Sequence, residues 1–230
     1  MKTVGIIGGM GPLATADLFR KIIESTTTAQ ADCEHIHVVI DSNTAIPDRT
    51  RAILEGGEDP LPELVRSAVG LEGMHADLLV MPCNTAHYFY DRLLPFVKVP
   101  VLHMIQETKE EMLRRGIKKA GLLATDGTCR TGVYHQVFKG SGIELLLPDA
   151  EDQAEVMRAI YQGVKAGVKN YDTSSLNRSL DRLTQQGAEV MVLGCTELPI
   201  AFSMYGIDRP AVDPTAVLAA AAVREAMAEA

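Results

Sequence analysis

Tryptophan is absent from the 230 residues and Phe and Tyr are scarce: aromatics make up 5% of a chain that is 47% hydrophobic. So much apolar content with so few rings is aliphatic, the composition of parallel sheets buried on both faces. Long apolar runs are missing too, and no stretch reaches the roughly 18 residues of a membrane span. The opening Lys2-Thr3-Val4-Gly5-Ile6-Ile7-Gly8-Gly9 reads as a first strand and its turn, because a secretory signal needs a longer apolar core and a cleavage site. A cytoplasmic protein is expected. Four cysteines are too few for a disulfide scaffold at this length, so reduced thiols are expected. No basic block offsets the formal charge of −8, and Arg114-Arg115-Gly116-Ile117-Lys118-Lys119 reads as a basic helix end. Nucleic acid and membrane are therefore not expected as partners, and an anionic substrate would need a local cationic pocket.

What is present is a duplication. Cys83 follows the apolar run Leu78-Leu79-Val80-Met81 and precedes Asn84-Thr85, while Cys195 follows Val190-Met191-Val192-Leu193 and precedes Thr196-Glu197. Each thiol is thereby placed at the carboxyl end of a strand, where open α/β sheets carry their chemistry. Weaker echoes keep the same order: Lys2–Gly9 with Lys119–Thr125, Arg51-Ala52-Ile53 with Arg158-Ala159-Ile160, and Val99–His103 with Arg209–Asp213. The pattern predicts two similar α/β lobes, residues 1–103 and 104–213, each with a four-stranded, mostly parallel sheet. A pseudo-twofold axis would relate them, with the active site in the cleft between. The last helix, 214–230, is expected to return to the first lobe.

The turn Gly8-Gly9-Met10-Gly11-Pro12 lacks the G-x-G-x-x-G spacing of a dinucleotide site. It reads better as a tight turn whose N–H groups, around Met10, could receive a carboxylate, with Pro12 opening a helix. A thiol at a strand-to-helix turn meets helix N-terminal N–H groups, which are expected to lower its pKa from about 8.5 toward neutrality and to expose it to the cleft. No metal is expected, since neither cysteine segment has C-x-x-C spacing and His87 is the one nearby imidazole. His87 leaves open a Cys-His pair, because four helical positions return a side chain to the same face. Cys33 and Cys129 read as bystanders.

Met81-Pro82-Cys83-Asn84-Thr85-Ala86-His87, Gly194-Cys195-Thr196-Glu197-Leu198 and Gly8-Gly9-Met10-Gly11-Pro12 together resemble the cofactor-independent aspartate/glutamate racemase superfamily, and most resemble its aspartate racemase branch. The resemblance implies two flavodoxin-like lobes, a homodimer, no pyridoxal phosphate, and a two-base mechanism with Cys83 and Cys195 as catalytic bases. Such inversion needs a thiolate on one face of Cα and a thiol on the other. By the same resemblance Cys83 serves the D-enantiomer and Cys195 the L-enantiomer. Backbone N–H groups near Asn84-Thr85 and Thr196-Glu197 are candidate donors to the enolate-like intermediate. The resemblance further points to Arg49, in the loop Ile46-Pro47-Asp48-Arg49-Thr50, and to Lys165 as the cations that grip a dicarboxylic amino acid. Asn43, Thr85, Thr125 and Thr196 are the accompanying neutral donors.

Departures narrow the substrate. Glutamate racemases carry Asp-Ser where this chain has Gly8-Gly9, and a His where it has Glu197, so a cell-wall glutamate racemase is disfavoured. Related decarboxylases keep only one cysteine. Hydantoin racemases and maleate isomerases are compatible with both thiols. Aspartate ranks first and glutamate second, with a broad-specificity racemase between. A module that clamps a small acidic ligand without turning it over is the non-catalytic alternative.

Overall fold

The computed structural model describes residues 1–228. One sheet contains β1 (Val4–Gly8), β2 (Val38–Ser42), β3 (Leu78–Val80) and β4 (Val101–Leu102), the other β5 (Lys119–Ala124), β6 (Glu144–Leu146), β7 (Val190–Gly194) and β8 (Ala211–Val212). The strand orders are β2-β1-β3-β4 and β6-β5-β7-β8, with every pairing parallel. The chain is thus α/β with two four-stranded sheets of one topology, and the repeat seen in sequence is a repeat of topology. Two compact units result: Met1–Glu107 joined by the chain from Thr215, and Thr108–Pro214.

In the first unit, alternation along the strands separates two apolar layers. Ile7, Leu79 and Met81 face the helix Leu61–Gly73 through Leu64, Ala68 and Leu71. Val4, Ile6, Leu78 and Val80 meet Leu18 and Ile22 of the helix Pro12–Ser25, together with Leu218, Ala222 and Ala226 of the helix Pro214–Met227. The terminal helix therefore packs on the first sheet; residues 229–230 of the expected 214–230 segment lie outside the described residues. In the second unit Leu123, Met191 and Leu193 pack with Leu180 and Leu183 of the helix Ser174–Gln185.

Gly5 and Gly121 occupy matching places in the central strands. A Cβ on Gly5 would come within 2.6 Å of Leu79 Cδ2, and one on Gly121 within 2.8 Å of Met191 Sδ. Each sheet thus requires a glycine at the same point, where strand and helix approach too closely for a side chain.

The structure departs from the sequence expectations at several places. β4 and β8 are two residues each, because Pro100 and Pro210 bring no N–H to the ladder; their carbonyls accept from Leu79 N at 2.8 Å and Met191 N at 2.9 Å. The segment after Cys83 is a 3-10 helix (Thr85–Phe89), one α-turn (Tyr90–Leu93) and a second 3-10 turn (Leu94–Phe96), with Pro95 preventing α-helical continuation. The helix that begins at Ala150, capped by Asp149, widens to a π-helix over Ala159–Val164. The loop after β2 contains a short helix, Arg49–Leu54, whose start is capped by Asp48 Oδ1 accepting from Arg51 N at 2.9 Å.

Candidate active site

The expected residues of the first unit gather at the carboxyl ends of β1, β2 and β3. Gly8 pairs with Ser42 and Ile6 with Val80, so Met10, Asn43 and Cys83 all follow strand ends that lie side by side. Met10, Ile46 and Cys83 belong to one buried cluster. Gly9, at φ +92°, lies so close to the Asn43 backbone that a Cβ would come within 2.3 Å of it, which demands glycine twice over. The turn is less open than expected. Gly9 N–H donates to Thr15 Oγ1 at 2.9 Å, and that hydroxyl donates onward to Gly11 O at 3.0 Å.

Arg49 is neither a loop residue nor a surface charge. It is the first residue of its helix, 8% exposed, with Nη1 donating to Ile46 O (3.2 Å) and Pro47 O (2.9 Å) and Nη2 to Met10 O (3.3 Å). Three carbonyls fix the plane of the guanidinium fork. Asn43 was expected as a donor to substrate, but its amide nitrogen already donates to Glu63 Oε2 (2.8 Å) and Ser67 Oγ (3.2 Å), and its Oδ1 accepts from Ala45 N (3.0 Å). It holds the end of β2 against the helix Leu61–Gly73.

Cys83 is 6% exposed; Asn84 and Thr85 beside it are also buried. Its N–H donates to Met81 O at 2.8 Å. The Cys-His pair does not form. Met104 N donates to His87 Nε2 at 3.0 Å, which puts the ring proton on Nδ1, and Nδ1 donates to the carbonyl of Cys83 at 2.8 Å. His87 therefore spends both nitrogens on backbone and orients the cysteine segment without touching its thiol. Burial, followed by the neighbouring His103, pushes its pKa down to about 3, so the imidazole is neutral at physiological pH.

In the second unit, Ala124 pairs with Gly194, so Thr125 and Cys195 follow adjacent strand ends in step. Thr125 caps the helix Asp126–Thr131, accepting from Thr128 N at 3.3 Å. Cys195, also 6% exposed, donates its thiol proton to Glu197 Oε2 at 3.0 Å. The Thr196 hydroxyl donates to the same oxygen at 3.3 Å. Lys165 Nζ stands 3.8 Å from Glu197 Oε1 and 4.6 Å from the centre of the Tyr161 ring.

The expectation of a lowered thiol pKa is overturned at Cys195. Burial is the largest cause and pushes it well above the ordinary value, with the Glu197 charge adding to it; Lys165 and the Glu197 N–H pull the other way and lose. Glu197, 4% exposed, is the site residue the sequence did not single out as a participant. Its signal was present in Cys-Thr-Glu, an acid two positions past the thiol in the first turn of the helix Glu197–Met204.

Cys33 is exposed and Cys129 half-buried, and the four cysteines are free thiols. Burial, then Asp126, pushes Cys129 up to about 12, which leaves it unreactive at neutral pH. Among the described residues no cluster of three or more His, Cys, Asp or Glu is arranged to hold a metal, and no helix is long and apolar enough to cross a membrane.

Residues 7–222 match the family described as Asp/Glu/Hydantoin racemase. The chain belongs to that racemase family. It is 29% identical to the broad specificity amino-acid racemase RacX of Bacillus subtilis (strain 168), over 96% of both chains. Among solved structures, an aspartate racemase from Picrophilus torridus superposes with a TM-score of 0.84 at 31% identity, covering 98% of this chain and 94% of that one. An aspartate racemase homologue from Pyrococcus horikoshii OT3 gives 0.79 at 27% identity, covering 98% and 99%. The two-sheet architecture is thus the fold of this racemase family.

Proposed function

We propose that the protein racemises an acidic amino acid, aspartate first, by a two-base mechanism in which Cys83 and Cys195 serve opposite faces of Cα. The observation that carries this is the repeated placement of a buried cysteine after the third strand of each sheet order, within a family of amino-acid racemases. One thiolate removes the Cα proton while the other thiol delivers one, and the two exchange protonation states with each turnover. Arg49, its fork held by three carbonyls, is the proposed partner of one substrate carboxylate, and Lys165 of the other. The N–H groups and hydroxyls at Asn84, Thr85, Thr125 and Thr196 are the proposed neutral donors. The enzyme is proposed to work as a cytoplasmic homodimer without pyridoxal phosphate or metal.

Aspartate is favoured by the Picrophilus torridus aspartate racemase, and a broad-specificity reading by RacX, 96% of whose length this chain matches. Chiral chromatography after incubation with each enantiomer of aspartate, glutamate and several neutral amino acids separates the two. Conversion of aspartate well above all others supports the first, and comparable conversion of neutral amino acids would replace it with the second.

A further inference from the structure

Two positions past Cys195 stands the carboxylate of Glu197, whereas two positions past Cys83 stands Thr85. A carboxylate that accepts from a thiol at 3.0 Å needs the proton to stay on sulfur. The groups around the pair decide whether it does. Glu197 presents its charge from the start of its own helix, Lys165 approaches from the end of the π-helix, and Tyr134, fully buried on the helix Val133–Phe138, lies within electrostatic reach of Cys195, Asp213 and Cys129. Lys165 is the one cation in this set, its Nζ 3.8 Å from Oε1 of Glu197.

We propose that Glu197 is a positioning residue that keeps Cys195 in its thiol form at rest, so that Cys195 is the proton donor of the resting enzyme and Cys83 the base. The proposal rests on the racemase reading for the roles of the two cysteines, and deepens it by making the resting site asymmetric. In the first half of turnover the Cys83 thiolate takes the Cα proton, and the C–H electron pair passes into the enolate-like intermediate. Cys195 then delivers its Sγ proton to the opposite face and keeps the bonding pair on sulfur. Turnover ends with a Cys83 thiol and a Cys195 thiolate beside a carboxylate. Repulsion between those two charges favours uptake of a proton from solvent by Cys195 and release of one by Cys83, which restores the resting form.

The test is residue-resolved mass spectrometry of iodoacetamide labelling in the substrate-free protein, between about pH 6 and 10. The readout is the midpoint of the pH dependence at Cys195, which thiol burial alone does not set. In the wild type the midpoint should lie above about 8.5. Glu197→Gln removes the charge but keeps an acceptor, and should lower the midpoint by at least about one unit, a tenfold gain in labelling at neutral pH. Glu197→Asp should restore part of the shift, and Lys165→Ala should raise the midpoint further. A wild-type midpoint at or below that of an ordinary thiol would overturn the proposal even if Glu197→Gln did not fold, and so would an unchanged midpoint in a folded Glu197→Gln. Labelling does not depend on catalysis. If the wild type racemises nothing, the functional reading fails while this result still stands or falls alone.

Discussion

Arg49 Nη2 donates to the carbonyl of Met10 at 3.3 Å, which ties the helix after β2 to the turn after β1. This contact makes Arg49 a structural cation as well as a proposed substrate ligand. Arg49→Lys replaces the planar fork that holds three carbonyls with a flexible point charge. It should lower stability by about 1–3 kcal/mol and reduce aspartate kcat/KM by tens-fold or more, on the order of 2–5 kcal/mol. Aspartate kinetics and thermal melting decide between the roles: an unchanged kcat/KM with a lowered Tm would leave Arg49 as structure only.

His87 predicts a pH dependence of stability. Its folded pKa, about 3, lies below the unfolded value of about 6.5, so the unfolded chain binds the extra proton first. Stability from this group is full above about pH 6.5 and falls by roughly 1.4 kcal/mol per pH unit below it, until the folded ring also protonates. Denaturant unfolding of the wild type and His87→Gln at pH values on both sides of the window tests this. The variant should be less stable near neutrality and should show a flatter profile on acidification; parallel profiles would remove His87 as the source.

Lys165 is predicted to act at the second substrate carboxylate and on Glu197. Lys165→Ala should lower aspartate kcat/KM by tens-fold or more, on the order of 2–5 kcal/mol, while a 28% exposed side chain should leave Tm nearly unchanged. Kinetics indistinguishable from wild type would return Lys165 to the surface.

Much of this was legible in the sequence, for physical reasons. The echo of Lys2–Gly9 at Lys119–Thr125 is the strand β5 over Lys119–Ala124, because a buried central strand is a continuous apolar run with a charged start. The parallel sheets follow from the alternation of such runs with helical segments. The short elements were not legible. Arg49–Leu54 is six residues, too brief for periodicity to show, although Asp48 was in place as its cap. The strand-end positions of the two thiols were legible, and their environments were not. His87 lies four positions past Cys83 as the spacing suggested, but the ring is turned by the N–H of Met104, a partner that sequence spacing cannot reveal. At Cys195 the helix N-terminus was visible in sequence, whereas the balance of burial and Glu197 against it depends on folded geometry.

Cys83→Ser and Cys195→Ser should both fold, since Ser is close in volume to Cys and each site has polar neighbours. Each should lose racemisation, because a hydroxyl does not reach the thiolate's protonation state near neutral pH. Chiral chromatography of aspartate with each purified variant checks this, and near-normal conversion by either one would remove that cysteine from the mechanism.

The most direct measurement is deuterium incorporation at Cα of L- and D-aspartate incubated with the purified protein in heavy water, followed by mass spectrometry of the separated enantiomers. The account predicts that deuterium enters at Cα as each enantiomer is converted to the other, with no pyridoxal phosphate or metal added. Absence of any Cα exchange in aspartate, glutamate or neutral amino acids by a folded protein with both thiols reduced would contradict it, and would leave a protein that binds an acidic ligand without turning it over.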